Sequence, residues 1–301
     1  MRSIEGSKIV IVGLGLIGGS LARALKSRNS KCHITGVGRR ADILQQALES
    51  GSIDAFSTNA QAACQDADIV VLAVPVLSVG DILREIAPVL GSNTIVTDAA
   101  SVKQHIVDVV HKVFDGIPVN FVPGHPIAGS EQSGFEASSA TLFNNRKVIL
   151  TPLDHTSAEA VSLVSGMWKA AGAQVLQMGI GRHDEVLAAT SHLPHLLAFA
   201  LVDTLSQQGE SEEIFRYAAG GLRDFTRIAS SDPVMWRDIF LTNAEATVGI
   251  LDEYVSDLQK LRKNLLAQDG EALIAMFRRA NKSRASFLCM LQTTTENPDK
   301  P

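Results

Sequence analysis

The run Val122 to Gly134, VPGHPIAGSEQSG, holds a histidine set between two prolines. Pro123 and Pro126 stiffen the backbone on either side of His125. An imidazole with an ordinary pKa of about 6.5 is mostly neutral near neutral pH, so it can take a proton from an alcohol whose carbon loses hydride. The plainer reading is a loop histidine that only satisfies backbone groups. Glu131 follows in the same loop, and Gly124, Gly129 and Gly134 let a ligand approach closely. Further on, GGLRDFTRIASSDPVMW places Arg223, Asp224, Arg227, Asp232 and Trp236 on one helical stretch. Charges like these are most often a solvated helix face. Arg227, however, stands beside Phe225 and Ile228, and a guanidinium in an apolar setting suits the two-pronged binding of a carboxylate. In SHLPH, His192 and His195 share one helix face. No third or fourth ligand accompanies them, so no metal site is expected.

A second kind of chemistry is written in KIVIVGLGLIGGS. Gly13, Gly15 and Gly18 give G-x-G-x-x-G around Leu16 and Ile17, between a short apolar strand and an apolar helix. The first glycine permits the tight turn, the second lets a pyrophosphate approach the backbone, and the third lets helix and sheet pack closely. The helix N-terminus adds unpaired N–H groups and a partial positive charge. After the next strand the chain reads Gly38-Arg39-Arg40, where an acid would bind the ribose hydroxyl of NAD. The arginine pair favours the 2′-phosphate of NADP; NAD use stays open, since arginine can also stack on adenine.

These residues need a scaffold that brings loops together, and the alternation of elements supplies one. Strands are expected at 8–12, 33–37, 67–75, 94–98, 119–122, 147–151 and 174–178. Helices are expected at 17–28, 41–50, 79–90, 102–114 and 158–171. Repeated βα units give a doubly wound, mostly parallel sheet of the Rossmann type, which binds ligands beyond the carboxyl ends of its strands. Val74-Pro75, Ser101 and the His125 loop all fall at such ends. From about Gly181 only long helical periodicities remain, at 183–207, 210–220, 233–268 and 270–291. The expected organisation is a dinucleotide-binding domain over 1–180, an all-helical domain over 181–292 and a polar tail over 293–301. The apolar helix near 187–205 needs more cover than a small helical domain gives, so a homodimer is expected.

The chain has 301 residues, 46% hydrophobic and 20% charged, with a net charge of −5. This suits a soluble enzyme and argues against nucleic acid or an acidic membrane as partner. The uninterrupted apolar runs read as too short to span a bilayer. Cys32, Cys64 and Cys289 are scattered and odd in number, as expected of reduced thiols, and no signal peptide is read; a cytoplasmic location is expected.

Taken together, VGLGLIGGS, DAASVK, GHPIAGSEQSG, ATSHLPH and DFTRIASSDPVMWRDIF resemble the prephenate/arogenate (cyclohexadienyl) dehydrogenases of tyrosine biosynthesis, over about 8–291. The resemblance implies a Rossmann domain joined to a helical dimerisation domain, and oxidative decarboxylation of prephenate, perhaps with arogenate, coupled to NAD(P) reduction. It implies that His125 accepts the ring hydroxyl's proton and that Ser101 holds His125 and the nicotinamide side. It implies that Arg227 binds the departing carboxylate, and that Glu131, Asp224 and Trp236 gate or line the pocket. Ser130, His192 and His195 would lie near the substrate side chain or the nicotinamide. An arogenate-preferring enzyme is the near alternative, and a non-catalytic NADP sensor is the alternative from another class. A β-hydroxyacid dehydrogenase would want a lysine on the first helix of the second domain, where this chain offers His183, His192 and His195.

Overall fold

The computed structural model describes residues 4–28, 31–209 and 211–296. Its first half alternates as read: β1 (Lys8–Val12), α1 (Leu16–Ser27), β2 (His33–Val37), α2 (Ala41–Glu49), β3 (Ala55–Ser57), α3 (Ala60–Cys64), β4 (Ile69–Leu72), α4 (Val79–Ile86), β5 (Ile95–Asp98), α5 (Gln104–Phe114) and β6 (Phe121–Val122). These six strands form one parallel sheet in the order β3-β2-β1-β4-β5-β6. The four residues of β4, Ile69 to Leu72, are all buried, as a strand covered on both faces requires. The order reverses between β1 and β4, so a crevice opens at their carboxyl ends, where Gly13 and Ala73 lie. β3 and α3 escape sequence reading because each is short and weakly patterned. Asn59 nonetheless caps α3 by accepting the Ala62 N–H at 2.9 Å.

The expected single sheet divides in two. β7 (Gly124–Pro126), β8 (Lys147–Leu150) and β9 (Gln174–Gln177) form a separate three-stranded sheet, with β7 antiparallel to β8 and α6 (Ala158–Ala170) between β8 and β9 in sequence. Pro123 has no N–H to offer a ladder, and the Gly124 N–H turns to the Asp98 carboxylate at 3.2 Å. The chain therefore leaves the first sheet at Val122 and starts a new one with His125 in its first strand.

The helical part is more broken than its periodicity suggests. It runs α7 (Ile180–Leu187), a π-helical turn (Ala188–His192), α8 (Leu193–Ser206), α9 (Ser211–Arg216), α10 (Gly220–Thr226), α11 (Pro233–Thr242), α12 (Ala244–Leu266) and α13 (Gly270–Glu296). Pro194 cannot supply an N–H to the helical ladder, and the wider turn at Ala188–His192 sits directly before it. Glu210 lies outside the described residues. The expected helix over 233–268 breaks at Asn243, whose side chain bonds elsewhere in the fold. The chain divides after Ala244 into two compact units. The first holds both sheets and α1 to α11. In the second, Leu265, Leu266 and Phe277 are more than half exposed. The helical stretch Ile180–Ser206 is long and apolar enough to cross a membrane by length and composition alone, although its unbroken apolar runs are short. Arg182, Asp184, Glu185, Asp203 and the three histidines interrupt the run without making the stretch polar overall.

Candidate active site

The glycine turn meets its geometric requirements. Gly13 adopts φ +97°, and a Cβ there would come within 2.5 Å of the Ala73 carbonyl oxygen. A Cβ on Gly18 would come within 2.1 Å of the Gly13 oxygen, so α1 can lie on the sheet only with glycine there. A Cβ on Gly15 would meet nothing within 4 Å. The middle glycine thus faces open space at the N-terminus of α1, the cradle a pyrophosphate fills. That space belongs to a cavity of about 820 Å³ lined by Gly13, Gly15, Gly38, Arg39, Arg40, Val74 and Pro75 among others. Leu16, Ile17 and Gly18 form the first turn of α1 and do not line the cavity. Asp42, the first acid after β2, lies in the first turn of α2 and is exposed.

A cluster of buried polar groups surrounds His125. Its Nδ1 and the Nε2 of His183 share a hydrogen bond of 2.9 Å, the rings meeting edge to face. His183 Nδ1 lies 2.7 Å from Asp184 Oδ1. The same carboxylate accepts the backbone N–H groups of Lys103 and Gln104, each at 2.9 Å, and so ties α7 to the start of α5. Lys103 is 0% exposed; its ammonium donates to Asp98 Oδ2 and, at 2.6 Å, to the Gly124 carbonyl. Asp98 also accepts the Ala100 N–H at 2.9 Å. Asp98 and Lys103 thereby clamp the loop after β5 to the strand that carries His125. Burial, then the nearby His183, Lys103 and His192, hold His125 well below the ordinary histidine range, and so neutral. Asp184 stays below the usual carboxylate range: burial opposes ionisation, but the bonds from His183, Gln104 and Lys103 outweigh it.

On the helical side, Asn243 Nδ2 donates to the Asp184 carbonyl at 3.0 Å and to His192 Nδ1 at 3.1 Å. An amide nitrogen only donates, so His192 Nδ1 is bare and its proton sits on Nε2. Burial pushes His192 down to about 4. His192 Nε2 and Trp236 Nε1 are buried N–H groups that meet no acceptor among the described residues. His195 stacks on Trp236 with ring centroids 3.7 Å apart and donates from Nδ1 to the Ser191 carbonyl at 2.9 Å. Burial, and the charge of Arg227 after it, lower the basicity of His195.

Two models of known families match consecutive parts of the chain: prephenate dehydrogenase, nucleotide-binding domain, over 21–177, and prephenate dehydrogenase, dimerization domain, over 181–279. The cyclohexadienyl dehydrogenase of Zymomonas mobilis is 39% identical over 282 residues, which is 93% of this chain and 95% of that protein. The chain belongs to the prephenate dehydrogenase family. The prephenate dehydrogenase of Bacillus subtilis is 37% identical over 92% of this chain and 75% of its own length. Among solved structures, prephenate dehydrogenase from A. aeolicus in complex with hydroxyphenyl propionate and NAD+ superposes with a TM-score of 0.88. It is 36% identical, over 95% of this chain and all of that one. Arogenate dehydrogenase from Synechocystis gives a TM-score of 0.79 at 28% identity, over 93% of this chain and 99% of that one. As a member of this family the chain is an oxidoreductase with a nicotinamide-nucleotide-binding domain.

Against that family background, the fold brings His192 within the electrostatic reach of His125 and sets Trp236 against both His192 and His195. His125 Nδ1 is bonded to His183, which α7 brings in by docking on the start of α5, and no bond joins Ser101 to His125 among the described residues. Arg227 is not enclosed by apolar neighbours: its side chain is 61% exposed and pairs with Glu131 Oε1 at 2.5 Å. α10 buries no residue, which leaves Arg227, at its end, and Phe225 open. Asp224 points to solvent beside Arg223, 3.8 Å away. Ser130 is exposed and bonds within its own loop to Gln132. His183, Asp184, Lys103, Asp98 and Asn243 were not singled out as site residues. The signal available for them was the adjacency of His183 and Asp184, and an acid and a lysine five residues apart in DAASVK, at the carboxyl end of a sheet strand.

Proposed function

We propose that the chain catalyses the oxidative decarboxylation of prephenate to 4-hydroxyphenylpyruvate and carbon dioxide. The observation that carries this reading is a buried His125, held neutral, three residues past the carboxyl end of β6 in the sheet whose β1 opens the glycine turn, with two unsatisfied N–H groups and an arginine on the helical side. Bound nicotinamide supplies the acceptor for the hydride lost from the carbinol carbon. His125 accepts the hydrogen bond and then the proton of the ring hydroxyl as that carbon is oxidised. Loss of the ring carboxyl as carbon dioxide leaves its electron pair in the ring. The proton held on His125 then returns to the oxygen, giving a phenol with no net proton released. Arg227 holds the ring carboxylate by exchanging Glu131 for it, and Ser101 lines the nicotinamide side. The N–H groups of His192 and Trp236 meet the acceptor oxygens of the side chain, with His195 stacked on Trp236 and Ser130 and Asp224 at the exposed rim. Aromatisation drives the reaction, so the residues chiefly position the reactants and exclude water.

Prephenate is favoured over arogenate because the unsatisfied N–H groups of His192 and Trp236 are donors, which suit the oxygens of a keto acid and not an ammonium. NADP is favoured over NAD because Arg39 and Arg40 line the cavity where an acid would otherwise stand. We retain 1–180 as the dinucleotide-binding domain, 181–292 as the helical domain that binds substrate and dimerises, and 293–301 as a tail. Leu241, Leu266 and Phe277 are large, exposed and apolar within the range of the family's dimerization domain, which supports a homodimer. Buried Cys32 and Cys64, neither in a disulfide, suit a reducing cytoplasm. The test is the rise of reduced-nicotinamide absorbance with prephenate or arogenate and NADP or NAD. Prephenate with NADP is expected to give the highest kcat/KM, and no turnover of either substrate would refute the reading. Replacing Arg39 and Arg40 together by alanine is expected to raise KM for NADP at least about tenfold and KM for NAD little, since two charge-assisted bonds to phosphate are lost. Equal losses with both cofactors would contradict the phosphate clamp.

A further inference from the structure

We infer that Asp184 and His183 are positioning residues that fix the proton of His125 on Nδ1 and so present a bare Nε2 to the substrate hydroxyl. This rests on the reaction proposed above, but its proton assignment stands on hydrogen bonds alone. An ionised carboxylate only accepts. Asp184 already accepts two backbone N–H groups at the start of α5, where the helix dipole favours a negative charge. Its 2.7 Å bond to His183 therefore needs the proton on His183 Nδ1. With one proton on that ring, Nε2 of His183 is an acceptor, and the 2.9 Å bond needs the proton on His125 Nδ1. With one proton on His125 as well, its Nε2 lone pair is free. No other arrangement of one proton per ring makes both bonds. His183 is 0% exposed, so water does not replace either partner.

The charged and titratable groups around His125 are His183 from α7, Lys103 from the turn before α5, and His192 from the π-helical turn. Asp98 lies on Lys103, and Asp184 on His183. This arrangement does two things. Lys103 and burial keep the resting imidazole neutral. When the hydroxyl O–H bond breaks and an Nε2–H bond forms, the new imidazolium donates from Nδ1 to His183, and that bond becomes charge-assisted. Asp184 stands one ring behind and stabilises the charge without itself being protonated. The logic is that of a base oriented by a third group, recognised by geometry and not by sequence order.

Two measurements test it. In full-length protein labelled with nitrogen-15 in histidine, ring correlations report which nitrogen carries the proton, with His125→Asn identifying the signal. Nδ1 of His125 is expected to be protonated and Nε2 bare; the reverse overturns the proposal whether or not prephenate is turned over. In kinetics, His183→Ala is expected to lower kcat about 10²-fold and to move the acid limb of kcat/KM, with KM for substrate nearly unchanged. His183→Gln, whose Oε1 can accept the Nδ1–H, is expected to recover at least about tenfold of that loss. A parallel fall in kcat and thermal stability, no shift of the acid limb and no recovery by glutamine would show a merely structural role.

Discussion

His125→Asn is expected to lower kcat by about 10²–10⁴-fold, the usual worth of a positioned general base. Cofactor affinity is expected to hold, because the glycine cradle is built by β1, α1 and the turn after β4, and His125 is not among the residues lining that cavity. Asparagine still offers a donor to His183 Nε2, so the fold around α7 is preserved, but it has no site for the substrate proton. The pH profile supplies a second reading. His125 sits well below the ordinary histidine range, chiefly through burial. Its neutral, competent form therefore persists as pH falls through 6.5, and activity is lost only as pH drops through the lowered value. An acid limb at or above the ordinary histidine value, or full turnover in the variant, would remove His125 as the base.

Arg227→Ala is expected to raise KM for prephenate about tenfold to a hundredfold, as loss of charge-assisted bonds to a carboxylate would. The lower end is the better guide, because the guanidinium is 61% exposed and solvent screens it. Resting stability is expected to change little, since the Glu131 pair it breaks is a surface pair. Glu131→Gln releases Arg227 without removing it. That variant is expected to lower KM, or leave it unchanged, if Glu131 competes with the substrate carboxylate. If Arg227→Ala leaves KM unaltered, the clamp lies elsewhere.

What the chain disclosed before its structure was known follows from the range of the forces involved. The turn at Gly13 to Gly18, the buried strands and the helix after each strand are local, and their periodicities were legible. β7 was not, because Gly-His-Pro carries no strand signature; its place depends on Asp98, 26 residues away, taking the Gly124 N–H. The neighbours of His125 were equally hidden. His183 lies 58 residues from it, and Asp184 reaches 81 residues back to Lys103. Each is an ordinary polar residue until the fold buries it. The apolar setting read for Arg227 failed for a related reason: sequence neighbours of a short helix say little about which face is covered. His192 and His195 were placed together by helix period alone, but the platform that unites them with Trp236 is a tertiary contact.

The most direct test of the account is a crystal structure with NADP and hydroxyphenyl propionate bound together. The phenol oxygen is expected roughly 3 Å from His125 Nε2, with the ring held between the nicotinamide and the side of the pocket that carries Arg227. A phenol oxygen bonded to another group, or a ring seated away from both His125 and the glycine turn, would contradict it.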